Sequence, residues 1–244
     1  MPSWSIHLAV AKKVNEKLKL NRDLFYYGNL IPDVDKGTWL GRYEAHYYNS
    51  NLPFPTCPKE HMIDINLFLE DYKDKLSNPL ILGYYSHLLT DNFYNNEIYA
   101  NKWVQDDKNN IIGIKLKDGK ILNIDVEDKK RQKRKYKHKD FELYGKYLFK
   151  NKQIELPKDV LIIKNNIRYL KNKFLTDELV DCRMNYLNNN FKKFNKLKFK
   201  ELIIQHNYKL FSKKELDKIF DDCVDIVLQR IMEVYDNNEK RGFY

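Results

Sequence analysis

Leu82-Gly83-Tyr84-Tyr85-Ser86-His87-Leu88-Leu89-Thr90-Asp91 is the stretch that decides how this chain folds. Its apolar and aromatic residues predict a buried helix over 79–99. Residues four apart lie on one face of a helix, so His87 and Asp91 can reach a single point, and Gly83 leaves that face open. An imidazole nitrogen and a carboxylate oxygen that converge form half of a site for a divalent metal such as zinc. A lone histidine in an apolar helix is more often a hydrogen-bonded core residue, so the pair needs support from the rest of the chain.

Three residues upstream carry the same chemistry. His7 lies in a segment with apolar residues at helical spacing, and Asp33 directly follows a proline, whose rigid backbone can point the carboxylate inward. His46 comes thirteen residues after Asp33, among aromatic residues. Each has an ordinary interpretation, as a polar residue on a buried helix, a turn residue and a surface loop residue. Four such residues are harder to accept as independent coincidences than one.

These five residues resemble, in type and order, the metal ligands of the zinc-dependent phospholipase C family: His7, Asp33, His46, His87 and Asp91. That family includes glycosylphosphatidylinositol-specific phospholipase D, and its fold is shared with single-strand-specific nucleases. Residues 45–49 are similar to the histidine-aromatic segment of the secreted bacterial enzymes. Residues 83–91 are similar to their helix with His and Asp four apart. The resemblance runs from Trp4 to about Tyr99 and is patchy afterwards.

The resemblance implies a mainly α fold, a single multi-helical domain of the zinc phospholipase C type over 1–244. It also implies two zinc ions. The first would be held by Asp33, His46, His87 and Asp91, and the second by His7 together with Asp91, which bridges the two. In the secreted relatives an N-terminal Trp completes the second site, whereas three residues precede Trp4 in this chain.

A third zinc in the family is held by two histidines and a glutamate. His138 and Glu142, four apart, match the last two of these ligands, and Glu97 stands at the position of the missing histidine, six residues after Asp91. The resemblance therefore implies a possible third site at these residues. Asp33 or Glu97 is the candidate to accept the proton of the attacking water.

Two nearby residues are alternatives to these assignments. His61 competes with His46, but it opens an apparent helix that favours an ordinary structural role, and it lacks the aromatic neighbours of His46. Asp140 lies between His138 and Glu142, and its basic surroundings predict a solvated charge.

The function implied is metal-dependent phosphodiester hydrolysis of a phospholipid or small phosphodiester by a zinc-activated water. One alternative is a single-strand nuclease with the same metal centre. Another is a metal-binding protein whose catalytic set has decayed. The sequence has no Gly-rich phosphate loop and no Gly-x-Ser-x-Gly motif, which argues against nucleoside triphosphate and serine hydrolase chemistry.

Composition is compatible with these expectations. The 244 residues are 43% hydrophobic, enough for one large core, and the formal net charge is +10. Residues 129–135 are the densest basic cluster. Such a run is usually a solvated loop, and its functional interpretation is attraction of a phosphate-bearing substrate, a nucleic acid or an anionic membrane surface.

The sequence also predicts a cytoplasmic location. No run approaches the ~20 apolar residues that span a bilayer, and no signal peptide is recognisable at the N-terminus. The three cysteines are odd in number and widely spaced, which is typical of reduced thiols: Cys57, Cys182 and Cys223. A phosphodiester substrate and peripheral contact with an anionic membrane are the expected partners.

Periodicity and capping signals predict the elements. Helices are expected over 4–19, 61–76, 79–99, 138–152, 158–173, 176–190, 197–210 and 213–237. Asn78 and Pro79 suit the start of the third helix, and Ser212 with Glu215 forms a capping box at the start of the last. A β-hairpin insertion is predicted over 111–126, turning at Asp118-Gly119.

Overall fold

The fold is mainly α-helical with one small antiparallel sheet, as the sequence predicts. It is described by a computed structural model over residues 2–34, 41–49, 62–108, 111–124, 134–171, 174–196 and 208–239. The helices in these ranges are α1 (Trp4–Leu18), α2 (Arg22–Gly28), α3 (Arg42–Ala45), α4 (Ile65–Tyr72), α5 (Pro79–Asn101), α6 (Lys139–Lys150), α7 (Val160–Asn166), α8 (Asp177–Asn195) and α9 (Lys213–Glu239). The strands are β1 (Trp103–Gln105), β2 (Ile111–Lys115) and β3 (Ile121–Asn123).

Helix α5 lies at the centre of the fold, in contact with α1, α2, α4 and α9. It begins as predicted, because the side-chain oxygen of Asn78 accepts the backbone N–H of Leu80 at 2.8 Å and Pro79 occupies the first turn. Every residue from Leu80 to Asp91 is buried, whichever side of the helix it lies on, which is expected of a helix that neighbours surround. Position 87 is therefore enclosed by other elements.

Two glycines set the distance between α2 and α5. A Cβ on Gly83 would press into the carbonyl oxygen of Phe25 and stand 2.9 Å from the Cα of Gly28. A Cβ on Gly28 would likewise meet the carbonyl oxygen of Leu80 and the Cα of Gly83. Glycine inside a helix lowers stability by about 1 kcal/mol relative to alanine. The close approach of the two backbones explains why glycine is nevertheless found at both positions. The open face that the sequence predicts at Gly83 is filled by the backbone of α2.

Several predicted helices are shorter than expected. The helix predicted over 61–76 is α4 followed by a 3₁₀ turn, Lys73–Lys75, and the one over 158–173 is α7 followed by a 3₁₀ turn, Ile167–Tyr169. A turn of π-helix, Arg134–His138, precedes α6. Most of the helix predicted over 197–210 lies outside the described residues. The short helices α2 and α3 were not predicted.

The capping box that opens α9 is confirmed. The carboxylate of Glu215 accepts the backbone N–H of Ser212 at 2.6 Å, and the Ser212 hydroxyl oxygen accepts that of Glu215 at 3.1 Å. This reciprocal pair fixes the first turn of the long C-terminal helix.

The predicted hairpin is confirmed and gains a strand. Strands β2 and β3 pair antiparallel, and Gly119 in their turn has φ +83°, a conformation that favours glycine. Strand β1, directly after α5, pairs with the other edge of β2 and gives the order β1-β2-β3. The hairpin thereby continues from the end of α5.

Asp140 is buried, so the prediction of a solvated charge was wrong. Its carboxylate accepts the backbone N–H groups of Lys209, Leu210 and Phe211 at 2.7–3.1 Å. These three amides precede α9, and a carboxylate satisfies all of them at once. Asp140 thus anchors the entry of α9 to the first turn of α6.

In the part of the chain that the structure describes, none of the helices has both the length and the apolar character needed to cross a bilayer.

We predict that Gly83→Ala lowers the free energy of unfolding by about 3 kcal/mol, because backbone atoms of α2 must move to admit the methyl group. Chemical denaturation followed by circular dichroism measures the change. Gly41→Ala is the matched control, since the added Cβ there meets only the flexible end of the Glu44 side chain. Equal stability of both variants would contradict the proposed close contact of α2 with α5.

Candidate metal centre

Four elements bring the five predicted ligands together. His7 comes from α1, Asp33 from the 3₁₀ turn Ile31–Asp33, His46 from the residue after α3, and His87 and Asp91 from α5. Asp33 is partly buried and the other four have no solvent exposure. Five polar side chains from four elements thus meet inside an otherwise apolar core.

The ligand atoms form two overlapping groups, each within 4.8 Å: His7, Asp33 and His87, and His46, His87 and Asp91. His87 belongs to both groups. The rings of His7 and His87 are stacked, with centroids 3.8 Å apart and planes at 6°. Such a cluster has the size and composition of a site for one or more metal ions.

Backbone carbonyls fix the orientation of two imidazoles. Nδ1 of His87 lies 2.8 Å from the carbonyl oxygen of Asn29, and Nδ1 of His46 lies 2.8 Å from that of Arg42. A carbonyl oxygen can only accept, so both Nδ1 atoms carry the proton. When these rings are neutral, both Nε2 atoms therefore direct lone pairs into the cluster. Metal-binding histidines are typically oriented in this way, by a hydrogen bond from the other ring nitrogen.

Acceptor atoms crowd the centre of the cluster. The Nε2 atoms of His46 and His87 are 3.4 Å apart, and each lies 3.6 Å from Oδ2 of Asp91. Neutral imidazoles with Nδ1 protonated cannot donate a hydrogen bond to one another or to the carboxylate. A cation at this point would convert the mutual repulsion of lone pairs into attraction.

His7 and Asp91 supply a second indication of a missing partner. Nε2 of His7 lies 3.3 Å from Oδ1 of Asp91, yet both ring nitrogens and both carboxylate oxygens are buried without a hydrogen bond. Buried polar atoms without a partner are rare in native proteins because each costs about 1–3 kcal/mol. These atoms therefore fit a ligand that binds them directly.

The protonation equilibria of His7, Asp33 and Asp91 favour the charge states that a metal requires. At His87 burial lowers the pKa, but the carboxylates of Asp91 and Asp33 outweigh it and raise the pKa, so this ring must give up a proton to bind a metal. Burial, together with the neighbouring His87 ring, lowers the pKa of His7 to about 4. Burial opposes ionisation of Asp91, but His87 and His7 hold the pKa of that carboxyl well below its usual range. Burial is likewise outweighed at Asp33, where His46, His87 and Arg42 lower the pKa well below its usual range. A neutral imidazole and ionised carboxylates are the forms that bind zinc.

Two functional residues were not found from the sequence. The guanidinium of Arg42 donates to Oδ1 of Asp33 at 2.8 Å, so it holds this carboxylate in place beside His46. Arg42 also supplies the carbonyl that orients His46, four residues later, directly after the end of α3. Asn29 contributes only its carbonyl to His87. A backbone carbonyl cannot be recognised from residue type, so the role of Asn29 had no signal in the sequence. Arg42 could have been noticed, because it stands four residues before His46, one helical turn away.

The residues predicted for a third site are not brought together. In the described ranges, the groups of side chains close enough to share one ion contain none of Glu97, His138 and Glu142. Glu142 is exposed and pairs with Lys146 at 2.5 Å, and His138 is exposed at the start of α6. Glu97 accepts a hydrogen bond from Asn101 and lines a cavity of about 450 Å³ beside the β2–β3 turn and α9. His61 lies outside the described residues.

A family comparison agrees with this geometry. The family model for zinc dependent phospholipase C matches residues 4–209, well over half of the chain. The chain belongs to the zinc-dependent phospholipase C family. The motif resemblance ends at about Tyr99. The family model continues to Lys209, the first residue whose backbone N–H is bound by Asp140. Searches of curated proteins and of solved structures gave no significant match.

The side chains fit the metal that gives the family its name. Zinc binds imidazole nitrogens and carboxylate oxygens, typically four at a time. The cluster offers three imidazoles and two carboxylates, and the unsatisfied atoms of His7 and Asp91 point to a bound cation. Trp4 begins α1 and stacks on Phe194 with ring centroids 5.6 Å apart. In this sequence its backbone nitrogen forms the peptide bond to Ser3.

We predict that zinc raises the unfolding midpoint of chelator-treated protein, because an ion that binds only the native state stabilises it by about 2.7 kcal/mol at a hundredfold excess over Kd. Differential scanning calorimetry with and without zinc measures the shift, and metal analysis gives the stoichiometry. Asp91→Asn should abolish most of the shift.

Asp225→Asn is the control for the loss of one carboxylate charge, since Asp225 is exposed on α9. It should retain the full zinc-dependent shift. A shift of the same size in Asp91→Asn would show that zinc binds elsewhere.

Proposed function

We propose that this protein is a zinc-dependent phosphodiester hydrolase of the phospholipase C type, acting on a phospholipid or a small phosphodiester. The observation that carries the proposal is the convergence of two Nε2 lone pairs and the unpaired carboxylate of Asp91 at one buried point. Family membership supports the reaction class. We further propose that residues 1–244 form one domain, because the buried apolar residues from α1 to α9 belong to one core cluster.

In the proposed assignment, one zinc ion is held by Asp33, His46, His87 and Asp91. A second zinc ion is held by His7 and by Asp91, which both ions share. Zinc bound there supplies Lewis acidity, which polarises a phosphoryl oxygen and lowers the pKa of water. The carbonyls of Asn29 and Arg42 keep the imidazoles oriented, and the apolar walls of α1 and α5 restrict bulk water. Low dielectric around the cluster strengthens its interaction with developing charge.

Of the two proposed proton acceptors, Asp33 is the one that lies at the cluster. Its Oδ1 lies 3.6 Å from Nε2 of His46, and the guanidinium of Arg42 keeps it ionised. Glu97 instead faces the cavity between the β2–β3 turn and α9. A third ion at Glu97, His138 and Glu142 remains a prediction from the family resemblance, without support from their placement.

A nuclease is the second candidate function, and one feature favours it. Tyr43 is 62% exposed and packs edge-on against Tyr48, whose ring in turn lies flat on that of His46 with centroids 5.5 Å apart. Aromatic rings that lead from the surface to the ligands can stack nucleobases. The same rings also suit a lipid head group, so substrate comparison must decide.

The proposed location is cytoplasmic, with peripheral contact to anionic membranes. Cys182 and Cys223 are both free thiols, one exposed and one buried, which suits a reducing compartment. The basic cluster at 129–135 lies outside the described residues except for its last two positions. Its proposed role in attracting phosphate-bearing surfaces rests on the sequence.

We predict that the zinc-loaded protein hydrolyses a chromogenic phosphodiester and that Asp91→Asn lowers the rate at least about a hundredfold, because the ligand shared by both sites loses its charge. Release of p-nitrophenolate measures the rate. Chelation should abolish activity and added zinc should restore it.

Phosphatidylcholine vesicles and single-stranded DNA, offered to the same preparation, separate the two candidate substrates. Asp225→Asn is again the control and should retain wild-type rates. Zinc binding without hydrolysis of any of these substrates would favour the alternative of a decayed, purely metal-binding protein.

A further inference from the structure

A cavity of about 330 Å³ adjoins the metal cluster through the side chain of Tyr48. The Tyr48 ring lines the cavity and also lies flat on the ring of His46, with centroids 5.5 Å apart. None of the five candidate metal ligands is among the residues that line it. The cavity is therefore a separate space that shares one wall with the candidate metal centre.

Five aromatic side chains of the described residues line the cavity: Tyr47, Tyr48, Tyr72, Tyr84 and Phe174. The last three are buried and the first two are half-buried. Leu67 and Lys171, which also line the cavity, are exposed, so it extends inward from the surface and a solute can reach it. A ligand that enters meets ring faces, which carry partial negative charge.

Tyr47 has an unusual backbone conformation for a tyrosine. It follows the C-cap of α3, and its φ of 54° lies in the left-handed region. The N–H of Tyr47 donates to the carbonyl of Glu44 at 3.1 Å. The N–H of Tyr48 donates to the carbonyl of Tyr43 at 3.0 Å, which completes a Schellman motif. Glycine is the usual residue at this position, because a side chain there costs stability. The tyrosine therefore has a side-chain role that offsets the cost, and its ring both lines the cavity and packs on Phe68.

The charge of the lining is opposite in sign to that of the whole chain. Among the described residues that line the cavity, Glu44 and Asp71 are negative and Lys171 is positive, whereas the formal net charge of the chain is +10. Asp71 accepts hydrogen bonds from Tyr47 at 3.0 Å and from Lys171 at 2.5 Å, so the lysine offsets only one of the two carboxylates. Local negative charge attracts cations and repels phosphate groups.

We propose that this cavity binds an organic ammonium ion. Ring faces attract a cation, and aromatic cages recognise alkylated ammonium groups because such groups shed water more easily than a bare ammonium. The carboxylates of Glu44 and Asp71 add attraction at long range, and Leu67 and Phe174 provide apolar contacts for the alkyl groups. The ammonium group belongs either to the head group of the substrate, an assignment that rests on the proposed function, or to a free amine.

Calorimetric titration of tetramethylammonium chloride into full-length, zinc-loaded protein tests the site. Neopentyl alcohol, which has nearly the same shape and no charge, is the matched control ligand. We expect it to bind at least about fivefold more weakly than tetramethylammonium, because ring faces and carboxylates favour the charged ligand. Equal affinities, or no binding of tetramethylammonium, would overturn the proposal.

Two variants of Tyr47 separate a ring that binds the cation from a hydroxyl that holds Asp71. Tyr47→Leu removes the ring face and should bind tetramethylammonium at least about fivefold more weakly than wild type. Tyr47→Phe keeps the ring and loses only the hydrogen bond to Asp71, so it should bind within about twofold of wild type. Equal losses of affinity in the two variants would contradict binding by the ring.

Lys171→Met decides the matter if the Tyr47 variants do not fold. Removal of the ammonium frees the carboxylate of Asp71 for the bound cation, so this variant should bind tetramethylammonium at least about threefold more tightly than wild type. Lys218→Met breaks an equivalent exposed pair, with Asp222 at 2.5 Å, and should bind as wild type does. Unchanged or weaker affinity in Lys171→Met would show that the cavity is no cation site.

Inhibition kinetics with the chromogenic diester identify the source of the ammonium group. Competitive inhibition by tetramethylammonium means that the cavity holds the head group of a substrate. A change in kcat alone, or unchanged kinetics, means that it holds a separate amine. Calorimetry requires no turnover, so if tetramethylammonium binds and no phosphodiester is cleaved, the ammonium site stands and the proposed function fails.

Discussion

The close contact between α2 and α5 is the constraint on which the rest of the site depends. Gly28 and Gly83 let the two backbones meet, and this brings the carbonyl of Asn29 within 2.8 Å of Nδ1 of His87. That single hydrogen bond determines which nitrogen of His87 faces the cluster. A wider spacing of the helices would leave the ring free to turn, and its lone pair would no longer be directed at Asp91.

Electrostatics explain why so polar a cluster is tolerated in an apolar core. Each carboxylate lies beside imidazoles, and Asp33 has Arg42 as well, so burial does not neutralise them. The cost of burial is only partly offset, since His7 and Asp91 keep atoms without partners. The folded protein therefore carries a local cost that a bound cation would remove.

The side chains of the candidate site were easier to predict from the sequence than the backbone groups that orient them. His87 and Asp91 were recognisable because helical spacing converts sequence distance into a shared face, and the order of His7, Asp33 and His46 supplied the rest. The role of the Asn29 carbonyl could not be predicted, because every residue has a carbonyl. Helix α2, which precedes it, is also too short to show a hydrophobic repeat in the sequence. Asp140 was misjudged because its basic neighbours in sequence say nothing of three distant backbone amides. The burial of Lys137, one of six lysines in residues 129–139, depends in the same way on tertiary packing.

The position of the five ligands along the chain has a consequence for synthesis. All of them lie within the first 91 residues, whereas α6 and α9, which cover α1, come after residue 138. A ribosome therefore completes the ligand set well before the helices that enclose it have emerged. An ion bound by these residues in the nascent chain would hold α1 against α5 while the later helices are still being synthesised. The Asp140 anchor joins α6 to residues 209–211, so it can form only after that segment has been synthesised.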